Sequence, residues 1–279
     1  TCTTQVTTFT ISNPNLASEQ SDQYSVGFAW DATDWLNLTV DYYDIEIEDR
    51  IAFISLGLIQ QCLLGLTPCP PGVGNLPTNL SPPVPSAGLG LARDPNDGQI
   101  LYGQLGFSNR GTLHTDGVDI NVRTNFEFGE WGTLQNQLQI SRVLDFSFDG
   151  GVNLVDEPST GAGSATPKYR AALQNIWTYG DFTFAWNINY LHGTQSTQQN
   201  VIEAGGTDYG YARRLPSWTT NDLQASWNAP WNGRITVGVT NVADKGPVLD
   251  PFQPTGRPFD YNLYDGYGRV PYVRYTQNF

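Results

Sequence analysis

Leu134-Gln135-Asn136-Gln137-Leu138-Gln139-Ile140-Ser141 (LQNQLQIS, residues 134–141) is the stretch on which the fold class turns. In a strand, successive side chains point to opposite faces. Leu134, Leu138 and Ile140 therefore face away from Gln135, Gln137, Gln139 and Ser141. A soluble sandwich must bury one face of such a strand, and a row of three glutamines cannot line a dry core without stranding polar groups. The same row is at home against water in the lumen of a membrane barrel, with the apolar row turned to lipid. The stretch reads as one strand of an all-β, transmembrane antiparallel β-barrel.

The same two-faced pattern spreads in both directions. Tyr24, Val26, Phe28 and Trp30 oppose Gln23, Ser25, Gly27 and Ala29, and Leu36, Leu38, Val40 and Tyr42 oppose Asn37, Thr39 and Asp41. Leu101 to Phe128 reads as one long strand, with Val118, Ile120 and Val122 against Asp119, Asn121 and Arg123. Pro167–Thr178 follows with weaker alternation. Phe182, Phe184, Trp186, Ile188 and Tyr190 then form the clearest lipid-compatible row, aromatic at both ends as in interfacial girdles. Trp218–Asn228, a short strand through Ile235, Val237 and Val239, and a closing strand Gly266–Phe279 bring the count to nine. Short turns are expected at 31–34, 129–132, 179–181 and 229–233, and long loops at about 49–100, 145–165, 192–217 and 244–265. Short turns on one side and long loops on the other is the outer-membrane barrel arrangement. Nine strands with open edges cannot stand in lipid, so further strands are expected before Thr1, or a second chain to close the barrel.

Composition narrows the partners. The 279 residues carry only 15% charged side chains against 13% aromatic ones, and the net charge is −13. That balance excludes nucleic acid and polybasic contact with a membrane surface. There is no Met, and the chain reads as a processed or partial piece of something longer. Cys62 and Cys69 lie close together in one loop without zinc-site spacing, and read as a disulfide from an oxidising compartment, with free thiols as the alternative. Cys2 is left over, its partner expected before Thr1. Ile51–Ala92 contains no charged residue. Ile51–Leu66 is too short for a transmembrane helix and is expected to hold a helical turn or two within a long loop. The Pro/Gly-rich run after it reads as loop, offering either a partner surface or a fold-over of the barrel mouth.

With these strands in place, several segments resemble the C-terminal barrel portion of TonB-dependent outer-membrane receptors. The matching pieces are NPNLASEQSDQYSVGFAWD (13–31), LNLTVDYYDIEIEDRI (36–51), RDPNDGQI (93–100), NRGTLHTDGVDI (109–120), LPSWTTNDLQASW (215–227), GVTNVADKGP (238–247) and the aromatic terminus at Phe279. The resemblance implies that residues 1–279 are the last nine strands of a 22-stranded barrel with a plugged lumen, the plug domain lying outside this sequence. It implies TonB-energised uptake of a scarce nutrient (siderophore, vitamin, oligosaccharide or peptide) across the outer membrane of a Gram-negative bacterium. The implied partners are the TonB complex, the barrel-assembly machinery that reads Phe279, and outer-membrane lipid or lipopolysaccharide. Gln277 departs from the family, which usually has an outward aromatic or apolar residue there.

No catalytic motif occurs, and no enzyme or cofactor is expected. His114 and His192 lack clustered partners and read as a lumen residue and a loop residue. Asp44, Glu46, Glu48 and Asp49 read as a solvated face rather than a cation site. Candidate ligand contacts are the mixed aromatic and cationic loop with Tyr209, Tyr211, Arg213 and Arg214, and the aromatic, acidic loop with Tyr261 and Tyr264. The alternative function is a passive porin or a structural or adhesive surface barrel.

Overall fold

Strands with two chemically different faces are stable only when neighbours pair in a register that keeps like faces together. In the computed structural model of the chain, which describes residues 6–149, 151, 153–158, 165–203, 205–250 and 258–277, the strands do this in two sheets. In chain order the elements are β1 (Thr7–Thr10), β2 (Gln20–Thr33), β3 (Leu36–Glu48), β4 (Ile51–Ile54), α1 (Leu56–Leu63), β5 (Val73–Asn75), β6 (Leu89–Arg93), β7 (Ile100–Asn109) and β8 (Leu113–Glu127). They continue as β9 (Thr133–Phe148), β10 (Tyr169–Tyr179), β11 (Phe182–Leu191), α2 (Thr197–Glu203), β12 (Trp218–Asn228), β13 (Gly233–Thr240) and β14 (Val270–Gln277). The contacts divide the chain into two compact units. One holds residues 1–22, 45–114 and 148–151, and the other residues 23–44, 115–147 and 152–279.

The larger unit is built on a nine-stranded antiparallel sheet in the order β14-β13-β12-β11-β10-β9-β8-β3-β2. Each strand pairs with its predecessor in this sheet, so connections alternate between its two ends. Gly180–Asp181 joins β10 to β11 as a two-residue turn, and Asp34–Trp35 joins β2 to β3. The first turn is shorter than the expected 31–34 because β2 keeps its strand conformation through Thr33. Register holds the faces together across six strands. Leu134, Trp177, Phe184, Ala225, Val237 and Val273 are successive partners in one row. Gln137, Gln174, Asn187 and Asp222 are successive partners on the opposite face. The apolar face stays open: Trp186 is 46% exposed and Val273 76%. An exposed, largely apolar face on a water-soluble sheet would be an aggregation hazard. Against hydrocarbon it is the expected surface.

The span read as one strand, 101–128, is two. β7 ends at Asn109, and β8 starts at Leu113 in a different sheet. Between them Gly111 has φ +64, and a Cβ there would fall 1.4 Å from Asp149 Oδ1. Only glycine tolerates both the left-handed backbone and that approach. The Thr112 N–H then donates to the same Asp149 oxygen at 3.0 Å.

The smaller unit shows that the charge-free stretch is more than a loop. α1 is an eight-residue helix whose N-cap Ser55 accepts the Leu58 N–H. Among the described residues no helix is long and apolar enough to cross a membrane. Ile54, Ile59, Leu89 and Leu91 form a core no more than 2% exposed. Burial of each contributes roughly 1.5–3 kcal/mol. Thr7–Thr10 is β1 and pairs in parallel with β7. The prolines cannot donate to a ladder, and side chains of β7 hold this segment by its carbonyls. Tyr102 Oη donates to Pro77 O at 2.7 Å, and Ser108 Oγ to Pro71 O at 3.0 Å. Gln104, fully buried, donates through Nε2 to Val84 O and Gly88 O and accepts the Val84 N–H. Cys62 and Cys69 are joined in a disulfide with a Cα–Cα distance of 4.8 Å.

Candidate functional site

The candidate ligand residues all fall on two long connections of the larger unit, 192–217 and 241–269. These pack with the described part of the connection before β10. Two aspartates make the joints. Asp250, 1% exposed, accepts the Thr197 N–H at 3.0 Å and the Thr197 hydroxyl at 2.8 Å through Oδ2. Asp260, 8% exposed, accepts the Ala165 N–H at 3.2 Å and the Asn262 N–H at 3.0 Å. Carboxylates at such depth are tolerated where backbone donors satisfy them. Beneath them Leu191, Val248 and Tyr264 form a small core flanked by Leu215, Trp218 and Phe259. The connections thus share one packed base.

On the 192–217 connection Tyr209 and Tyr211 are exposed at its tip. Asp208 sets the turn that carries them, accepting the Gly210 N–H at 2.8 Å and Arg213 Nη2 at 3.2 Å. The Gly210 N–H, and after it Arg213, hold the Asp208 carboxyl below the usual carboxylate range. Arg213 and Asp208 are both well exposed, so water screens their pairing and Arg213 is free to exchange it for another anion. Arg214 differs. It grips Asp156 with two bonds, at 2.8 and 3.0 Å, and donates to the Gly193 carbonyl at 3.1 Å. Asp156 accordingly raises the Arg214 pKa. Nearby, burial and then the negative charges of Glu203 and Asp156 raise the Glu157 carboxyl.

On the second connection Tyr261 is exposed and packs on Phe259 with ring centroids 4.3 Å apart. Tyr264 is only 4% exposed and sits edge-on to Trp218 at 5.6 Å. Burial, then Asp260 and Asp250, push its phenol up to about 12. Sequence reasoning passed over Tyr267, which is 87% exposed. With Phe259, Tyr261 and Asn262 it borders a depression of about 590 Å³. The glycines on either side of Tyr267 were the available signal for a ring held away from its neighbours.

His192 Nδ1 lies 3.1 Å from the Tyr190 hydroxyl, with Tyr169 edge-on to its ring. Among the described residues no group of three or more His, Cys, Asp or Glu side chains is placed to hold a metal ion. Gln277 Nε2 donates to Trp231 O at 3.1 Å, tying the last described strand residue to the β12–β13 turn. Phe279 and Cys2 lie outside the described residues.

Compared with known proteins, residues 3–242 match the family described as TonB dependent receptor-like, beta-barrel. Among solved structures the chain is similar to the siderophore receptor PirA from Acinetobacter baumannii, with 14% identity, a TM-score of 0.58, and 95% of this chain and 32% of that one covered. It is similar to a mutant of the ferric enterobactin receptor PfeA from Pseudomonas aeruginosa, with 14% identity, a TM-score of 0.59 and coverage of 97% and 32%. It is also similar to the FrpB iron transporter from Neisseria meningitidis, with 13% identity, a TM-score of 0.52 and coverage of 95% and 33%. At these identities the likeness is one of fold. The chain spans about a third of the length of each of these structures. No curated protein matches.

Proposed function

Since the chain belongs to the TonB-dependent receptor-like β-barrel family, we propose that it is the C-terminal portion of an outer-membrane receptor taking up a scarce nutrient by TonB-energised transport. The observation that carries this reading is the two-faced register of the nine-stranded sheet. The row Leu134–Trp177–Phe184–Ala225–Val237–Val273 suits lipid, and the row Gln137–Gln174–Asn187–Asp222 suits a wet lumen.

β2 and β14 are the edges of the sheet. In lipid each must pair with further strands, as it would in a 22-stranded barrel. On this reading residues 1–279 are one portion of that barrel in a Gram-negative outer membrane, inserted by the barrel-assembly machinery through Phe279 and surrounded by lipid and lipopolysaccharide. Energy would come from the TonB complex through a plug domain.

Ligand capture falls to the connections with a shared base. Tyr209, Tyr211 and Tyr261 offer exposed rings, and Arg213 offers an exchangeable cation. Arg214 and Tyr264 act as their foundation. The ligand class is a siderophore, vitamin, oligosaccharide or peptide. The test is growth and uptake under limitation of each nutrient class, in strains lacking this protein or lacking TonB. Loss of one nutrient's uptake in both strains supports the reading. Uptake that persists without TonB, while depending on this protein, overturns energised import in favour of a passive pore.

A further inference from the structure

Three asparagines interrupt the apolar face of the nine-stranded sheet. Asn136 and Asn175 are direct partners in one row that continues to Trp186 and Leu223. Asn221 lies in the next row, opposite Ile188. All three share the face of Phe184, Val237 and Val273. They lie between the aromatic side chains near the short turns, such as Trp177 and Phe182, and the opposite end of the strands. They are therefore well inside the apolar band.

Each is partly satisfied within the sheet. Asn136 Nδ2 donates to Thr124 Oγ1 at 2.9 Å, Asn175 Nδ2 to the Trp186 carbonyl at 3.1 Å, and Trp186 Nε1 to Asn221 Oδ1 at 3.0 Å. Among the described residues these bonds leave Oδ1 of Asn136 and of Asn175 without a donor, and Nδ2 of Asn221 without an acceptor. Acyl chains offer neither, and polar groups left facing hydrocarbon are costly there.

We propose that this face docks against a second copy of the same chain, the free Asn221 amide of one copy donating to the free asparagine oxygens of the other. A two-fold interface requires a surface complementary to itself. This patch qualifies, because it carries both free acceptors and a free donor. It also adjoins an apolar groove of about 650 Å³ between Trp177 and Trp186 on one side and Val273 on the other. A lipid chain could fill the groove but would leave the amides unanswered. The proposal rests on the membrane reading above.

The test uses the protein purified whole from its native membrane and reconstituted in phosphatidylcholine vesicles. Energy transfer between labelled copies is followed as protein is diluted in lipid. Transfer above the random level is expected. Asn175→Leu with Asn221→Leu should weaken association about tenfold, since polar contacts between membrane segments are each worth a few-fold. Asn175→Gln with Asn221→Gln should restore part of it. A second readout leaves the amides in place: Ile188→Cys should cross-link between copies, whereas Asn187→Cys on the opposite face should not. Random transfer for the wild type, wild-type association in the Leu double variant, or no Ile188→Cys cross-link would each overturn the proposal. Protein that washes off the vesicles would overturn the membrane reading as well, which separates the two failures.

Discussion

The Tyr272 ring lies over Gly238, its direct partner on β13, and its hydroxyl donates to Gln224 Oε1 at 2.9 Å. A Cβ on Gly238 would come within 2.4 Å of the Tyr272 ring. A glycine in a strand interior weakens it, and an aromatic ring laid across the gap compensates. Here the ring also carries a polar tip to the next strand. Gly238→Val should displace the ring and break both contacts. Tyr272→Phe keeps the cover and should cost only the hydrogen bond, about 0.5–1.5 kcal/mol. Urea midpoints of the folded protein, read by gel mobility, should rank wild type, then Tyr272→Phe, then Gly238→Val. Equal midpoints for the two variants would show that the ring is not the compensating feature.

Gln104 is the corresponding keystone of the smaller unit. Its carboxamide answers Val84 N, Val84 O and Gly88 O in the proline-rich segment. Gln104→Leu keeps the bulk and strands three backbone groups. Each stranded group costs about 1–3 kcal/mol unless the segment opens to water, and opening is the cheaper course. Limited proteolysis should then cut between residues 77 and 88 in the variant and not in the wild type. Leu91→Ala removes core instead, should cost about 2–5 kcal/mol, and should loosen the whole unit rather than that segment alone.

The nine strands of the large sheet were legible because each face meets a different solvent. Phe182–Tyr190 alternates with no polar residue on its apolar face, Leu134–Ser141 departs from the pattern only at Asn136, and a membrane strand has little freedom to do otherwise. The parts that escaped depend on long-range choices. Ile100–Asn109 alternates as well as Leu113–Glu127 does, and only pairing with β1, β4 and β6 separates them. Thr7–Thr10 is too short and polar to announce a strand. Tyr261 and Tyr264 look equivalent in sequence. Trp218, more than forty residues away, decides which of them is buried. The three outward asparagines were visible as letters, but their meaning required the register.

Two carboxylates of the long connections should respond to pH in opposite directions. Asp208 is held below its ordinary range by the Gly210 N–H and Arg213. Its stabilisation of the tyrosine-bearing turn is complete above its unfolded pKa, about 3.9, and is lost as pH falls through the lower folded value. Glu157 is raised by burial and by Glu203 and Asp156. Its ionised form is therefore a penalty above the folded pKa, relieved as pH falls through that value. Hydrogen exchange corrected for intrinsic rates should show the 207–214 turn protected down to about pH 4 and opening below it, whereas contacts of Glu157 tighten on mild acidification. Glu203→Gln should lessen the second effect, leaving the part due to burial, and leave the first unchanged.

Tyr211 and Tyr264 should separate capture from construction. Tyr211 is half exposed at a loop tip, whereas Tyr264 is packed on Trp218 within the core of the loop base. Tyr264→Ala removes a buried ring and should cost roughly 3–5 kcal/mol, as large aromatic truncations do, with protease sensitivity across both long connections. Tyr264→Phe retains the ring, and since the phenol oxygen makes no hydrogen bond among the described residues, stability should change little. Tyr209→Ala with Tyr211→Ala leaves the base intact, so thermal stability should match the wild type. If these rings meet the ligand, that variant should bind it at least tenfold more weakly, with Tyr264→Phe unaffected. Binding unchanged in the double variant would remove the 207–214 tip from the capture surface and leave Tyr261 and Tyr267 as the rings to test.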